Sequence, residues 1–185
     1  MKIISIQVGK PRAVDYRGKP VLTGIFKAPV KGPLMLRATN LDGDGQADLK
    51  VHGGIDKALY AYSLDAYPAW KKQRPNDEFA PGAMGENLSL DKMPEDQIFI
   101  GDVFKVGKAI IQVTEPRFPC FKLGIKYNDP KIIKEFNELG RPGVYFRVLQ
   151  EGLIDVGQTL ELTSQEEVKV SVAELFAMKN AARGL

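Results

Sequence analysis

The chain is poor in the residues that build covalent and metal frameworks: one cysteine, one histidine and one tryptophan in 185 residues. A lone cysteine cannot close an internal disulfide, which suits a reducing cytoplasm. One cysteine and one histidine would leave half of a structural zinc site to carboxylates, so that class is set aside. No apolar run approaches the length of a membrane span, and the amino-terminal stretch has no small-residue cleavage site behind it. Excess charge of one sign is also missing. The net charge of +3 is spread along the chain without a basic tail, so general nucleic-acid binding is not expected. No Gly-x-Ser-x-Gly elbow and no Gly-x-x-x-x-Gly-Lys-Ser/Thr loop occurs. Asp42-Gly-Asp-Gly-Gln-Ala-Asp48 is not read as a calcium loop, because Gln46 and Ala47 stand at the wrong positions and no glutamate closes it.

What is present is 44% hydrophobic and 26% charged residues, the balance of an ordinary globular protein with one main core. Short β-type runs recur at Lys2–Val8, Val21–Phe26, Leu34–Ala38, Ala58–Tyr62, Gln97–Ile100, Val103–Val106, Ala109–Val113, Val144–Leu149 and Thr159–Leu162, most of them separated by glycine or proline. This pattern predicts a mainly β fold with a few helices, a closed or partly closed barrel in preference to a doubly wound sheet. Helices are expected from Leu64 to about Lys72 behind Ser63, with Pro68 an awkward member, from Pro130 to Leu139 before Gly140, and from Val172 to Ala182 after Ser171.

Cys120 sits between Arg117 and Lys122 at the expected start of a short helix. Nearby cations and a helix start both favour the thiolate, the form that attacks electrophiles and binds soft metals. The alternative is a buried, inert thiol. A second segment, Gln46 to Tyr62, holds the only histidine, His52, followed by Gly53, Gly54 and Lys57. Glycine backbone and a lysine suit an anion, although a plain turn has the same composition. In Pro81 to Leu90, Glu86 and Asn87 follow a glycine-rich turn, either as a solvated loop entering a strand or as groups that orient a ligand by hydrogen bonds.

Several blocks occur together in a fixed order: Thr23-Gly-Ile-Phe-Lys27, Leu41-Asp-Gly-Asp-Gly-Gln-Ala-Asp48, Val51-His-Gly-Gly-Ile-Asp-Lys-Ala-Leu-Tyr-Ala-Tyr62, Gly85-Glu-Asn-Leu88, Ile100-Gly-Asp102, Pro116-Arg-Phe-Pro-Cys120 and Gly140-Arg-Pro-Gly-Val-Tyr-Phe-Arg-Val148. In this order they resemble the MOSC family, named for the carboxy-terminal domain of molybdenum cofactor sulfurase, and within it the small bacterial YiiM-type members. The resemblance runs from about residue 20 to about residue 163. It implies a MOSC-type β-barrel over residues 1–164 and a short helical tail over 165–185, where YiiM-type proteins carry a three-helix region. It also implies a molybdopterin-type molybdenum cofactor, with Cys120 binding the metal through sulfur. Lys57, Arg117 and the Gly53-Gly54 backbone are then expected to hold the cofactor's phosphate, with Tyr60 and Asn87 also on the cofactor. The implied activity is reduction of N-hydroxylated compounds such as hydroxylaminopurines to amines, with electrons from an external redox partner and a proton from His52 or Glu86. A competing expectation is a sulfur carrier with a persulfide on Cys120, or a non-catalytic cofactor-binding module. A homodimer is compatible with either.

Overall fold

The structure, a computed structural model, describes residues 1–47, 53–167 and 169–184. Its centre is an eight-stranded sheet. In chain order the strands that build it are β1 (Ile3–Val8), β4 (Ala28–Val30), β6 (Leu59–Ser63), β7 (Leu88–Leu90), β8 (Val103–Val106), β9 (Ala109–Pro116), β10 (Val144–Gln150) and β12 (Glu161–Ser164). They lie side by side as β12-β8-β9-β10-β6-β7-β1-β4. All neighbours are antiparallel except β6 and β7, which run parallel with Ala61 opposite Leu88. Every residue of β6 is buried, as a strand between two others and covered on both faces must be. β9 alternates instead, with Ala109, Ile111 and Val113 inward.

Among the described residues no ladder joins the outer strands β12 and β4. The two ends of the sheet approach through backbone bonds from Ile3 N to the Gln158 carbonyl (2.9 Å) and from Leu160 N to the Met1 carbonyl (2.8 Å), with one bridge between Lys2 and Thr159. The expected mainly β fold is therefore present, as an open eight-stranded sheet tied at β1 to the chain that leads into β12.

Two small sheets flank it. β2 (Arg12–Tyr16) and β3 (Lys19–Thr23) form a hairpin, and β5 (Leu34–Leu36) pairs with β11 (Gly152–Ile154). The hairpin turns on Arg17 and Gly18, both at positive φ (56° and 75°), the conformation that lets a two-residue connection follow the strand twist. Sequence patterning finds only the second arm of this hairpin, because the first, Arg12-Ala-Val-Asp-Tyr16, is largely exposed and its short alternation buries no side chain. Residues 97–100 are not a strand. Phe99 makes a single bridge to Ser171 and leads into a turn, where Asp102 Oδ2 accepts from Phe99 N at 2.9 Å.

The helices are α1 (Tyr67–Gln73), α2 (Phe121–Tyr127), α3 (Lys131–Leu139) and α4 (Val172–Ala182). A single 3-10 turn, Leu64–Ala66, precedes α1, so Pro68 falls in its first turn, where the missing N–H breaks no bond. α3 stops at Gly140, with φ 67°. Ser171 and Glu174 cap α4 reciprocally. Among the described residues no helix is long and apolar enough to cross a membrane.

Two apolar regions fill the interior. One, of aliphatic residues with Phe104 and Phe146, lies inside the sheet. The other is aromatic: Tyr62, Tyr67, Trp70, Phe79, Phe136 and Phe176 pack between β6 and the helices.

Candidate functional site

A cleft opens over the centre of the sheet, where four stretches of chain meet: the exit of β3, the loop 44–47, the start of β6, and the connection from β9 to α2. Close backbone approach makes this possible. A Cβ on Gly24 would lie 2.8 Å from the Gly45 carbonyl oxygen, and Gly85 holds a positive φ of 79° against Ile25.

Cys120 lines the cleft, half-buried, as the residue before α2. Arg117, Lys57, Lys122, Lys27 and Tyr145 line the same space. Arg117 is buried, lies over the Tyr60 ring at 4.9 Å and donates to the Met84 carbonyl. Burial opposes its charge, yet Tyr60, Tyr145 and Cys120 beside it hold its pKa above the ordinary value. Burial raises the Tyr60 and Tyr145 phenols, so both are neutral donors at physiological pH. Tyr60 uses its hydroxyl on the Pro142 carbonyl at 2.8 Å, which leaves its ring as a platform. Lys57 Nζ is 3.3 Å from Glu115 Oε1.

The Gly53-Gly54 turn is built differently from the anion loop expected of it. Gly54 N donates to Gln46 Oε1 at 2.8 Å, and the Gln46 amide donates to the carbonyls of Thr39 and Lys57. That backbone donor is therefore engaged within the chain, and Gln46 braces the turn. His52, like Asp48 to Val51, lies outside the described residues.

Asn87 lines the cleft and ties three segments together. Its Nδ2 donates to Asp44 Oδ2 (2.8 Å) and the Gln7 carbonyl (3.3 Å), while its Oδ1 accepts from Tyr60 N (3.2 Å). Glu86, one residue earlier, points away from the cleft lining and is wholly buried. Its carboxylate accepts from Tyr67 Oη (2.6 Å), Gly82 N (2.7 Å), Ser89 Oγ (2.8 Å) and Met84 N (3.0 Å). This carboxylate holds the turn 82–86 in place, and no cleft-facing proton role follows from its position.

Two cleft residues carried no expectation of their own. Lys27 Nζ meets Asp44 Oδ1 at 2.5 Å and Oδ2 at 2.6 Å, with side chains only 8% and 4% exposed. Their partnership spans seventeen positions of sequence, so no local spacing announces it.

Among the described residues, no three His, Cys, Asp or Glu side chains cluster to hold a metal ion by themselves. The donor set instead fits an anionic group that brings its own metal ligands and takes one sulfur from the protein: a thiol and several cations open to one space beside neutral phenols.

The MOSC domain model matches residues 48–161, and the chain belongs to the MOSC domain family. It is 42% identical to YflK of Bacillus subtilis over 172 residues, covering 92% of this chain and 76% of that protein. A protein of Gibberella moniliformis named "Reductase" is 37% identical over 173 residues, 92% of this chain and 30% of that longer protein. The crystal structure of YiiM from Geobacillus stearothermophilus superposes with a TM-score of 0.80 at 34% identity, over 100% of this chain and 86% of that one.

Proposed function

We propose that the chain binds a molybdopterin-type molybdenum cofactor in this cleft and uses it to reduce N-hydroxylated compounds to amines with electrons from an external redox protein. The observation that carries the reading is the opening of Cys120, Arg117, Lys57 and Lys122 onto one space. Membership of the MOSC family and similarity to a protein named as a reductase support it. A sheet curved into a barrel-like cradle, in a cytoplasmic protein, completes the proposal.

In this reading Cys120 supplies the sulfur ligand, and Arg117, Lys57 and Lys122 neutralise the cofactor's phosphate. Arg117 is already fixed by Met84 and by the Tyr60 ring, so it enters the interaction without losing much side-chain freedom. Tyr60 and Tyr145 wall the cleft with neutral rings. When bound, the cofactor supplies two-electron chemistry at an N–O bond. Asn87 keeps the strands beneath the site in register, and the electrons come from an external redox partner, since the single cysteine of these residues cannot ligate an iron–sulfur cluster.

Cys120→Ala tests this. In protein made by cells that assemble the cofactor, the substitution is expected to abolish bound molybdenum and turnover, with far-UV circular dichroism unchanged. Retained metal and turnover would refute the ligand role. Mass spectrometry of the freshly isolated chain separates the competing use of Cys120, since added sulfur without metal or pterin would identify a sulfur carrier.

A further inference from the structure

With Glu86 committed to four donors of its own chain, the cleft contains a different group suited to the substrate oxygen. Lys27 lines the cleft with Cys120. An ammonium has three donors, and Asp44 is the partner of Lys27 among the described residues, through its two oxygens. Asp44 is itself immobilised: Oδ1 accepts from Gly9 N at 2.9 Å and Oδ2 from Asn87 Nδ2 at 2.8 Å. The lysine is thus a pinned, nearly buried cation with at least one N–H left over. Both residues precede the stretch that the family model matches.

We propose that the remaining N–H of Lys27 hydrogen-bonds the hydroxyl oxygen of a bound N-hydroxylated substrate and protonates it as the N–O bond breaks. This rests on the function proposed above. The balance is R–NHOH plus two electrons and two protons giving R–NH2 plus water. The Lys27 proton forms a new O–H bond on the departing oxygen, the nitrogen takes the second proton from solvent, and an external reductant of the flavoprotein class supplies both electrons. Lys27 then regains its proton through the open cleft. Burial lowers the Lys27 pKa and so makes its proton easier to give up. The charged groups that face it are Asp44 from the loop after β5, Glu86 before β7, Arg117 after β9 and Lys126 on α2.

The test compares two ligands that differ by one oxygen, 6-N-hydroxylaminopurine and adenine. Each is titrated calorimetrically into the full chain isolated from cofactor-producing cells, without an electron donor. The parent is expected to bind the hydroxylamine about tenfold more tightly or better, as a hydrogen bond to a charged group allows. Lys27→Met combined with Asp44→Asn removes both charges, so no lone buried ion threatens folding, and is expected to bring the two affinities within about twofold. Equal affinities in the parent, or a preference that survives in the double variant, would overturn oxygen recognition by Lys27. Lys27→Arg keeps the charge but does not release its proton, and turnover with a reductant should fall about a hundredfold at unchanged molybdenum and pterin content. Unchanged turnover would overturn the proton transfer. A parent that keeps the oxygen preference but reduces no hydroxylamine would refute the reaction proposed above and, with it, the proton transfer, while oxygen recognition stands.

Discussion

The two apolar regions of the molecule are both buried and differ in what they hold in place. Inside the sheet, Ile3, Leu36, Leu88, Ile111 and Phe146 are 0% exposed and carry no side-chain donors or acceptors. In the aromatic layer, Trp70 Nε1 donates to Tyr62 Oη (2.7 Å), and Tyr67 Oη donates to Glu86 (2.6 Å). An aliphatic core can fix only backbone, whereas phenol and indole rings fix backbone and polar groups together. The cleft lies on the aromatic side, where Tyr60 carries Arg117 on its face. Truncation in the first region should therefore cost stability without touching the site. Phe104 packs edge-on against Phe146 at 6.4 Å, away from the cleft lining. Phe104→Ala is expected to lower unfolding free energy by about 3–5 kcal/mol in urea titration, while bound molybdenum per folded molecule stays at the parent level. Loss of metal in the folded fraction would show that the two regions are coupled.

The same contrast explains what could be read from sequence. Strands of the aliphatic core show themselves through alternation or continuous apolar runs, as in β6 and β9, and Cys120 at a helix start needed only its neighbours. β7 was legible only as a strand entered by the Pro81 to Leu90 loop, because three residues carry no period, and its parallel pairing with β6 joins segments 27 positions apart (Leu88 against Ala61). Glu86 was legible as unusual, but its role was not. Whether a carboxylate faces a ligand or a turn depends on where Tyr67 and Ser89 arrive in space. The Lys27–Asp44 pair, seventeen positions apart, is the same case. Local physics writes elements into sequence, and side-chain partnerships in the polar part of the fold wait on tertiary placement.

Lys126 sharpens the comparison through pH. It lies on the inner side of α2, donates to the Gly82 carbonyl at 2.5 Å, and burial lowers its pKa from 10.5 to about 8 despite the attraction of Glu86. Between about pH 8 and pH 10.5 the unfolded chain therefore binds more protons at this residue than the folded one. The sign is set by that difference: stability contributed by this group rises with pH across the window, with a slope of at most about 1.4 kcal/mol per pH unit. The penalty of burying the charge is fully present below pH 8 and relieved above it. Urea midpoints measured from pH 7 to pH 10 should show the rise, and Lys126→Met should flatten it. An unchanged slope in the variant would place the titration elsewhere.

The smallest effect expected belongs to a single oxygen atom. Tyr67→Phe keeps the ring in the aromatic layer, 5.9 Å from Tyr62 and 6.3 Å from Phe79, and removes one of the four donors to Glu86. The carboxylate keeps Gly82 N, Met84 N and Ser89 Oγ, so the loss should be about 1 kcal/mol, less than that of an ion left bare. Its location is more informative than its size. If Glu86 clamps the turn 82–86, amide hydrogen exchange at Gly82 and Met84 should quicken, while the amides of β8 and β9 change only by the global loss. Uniform change across both regions would mean that the phenol contributes packing alone. A local response would tie the turn that leads into Asn87, and through it the Asp44–Lys27 pair, to the aromatic layer beneath the cleft.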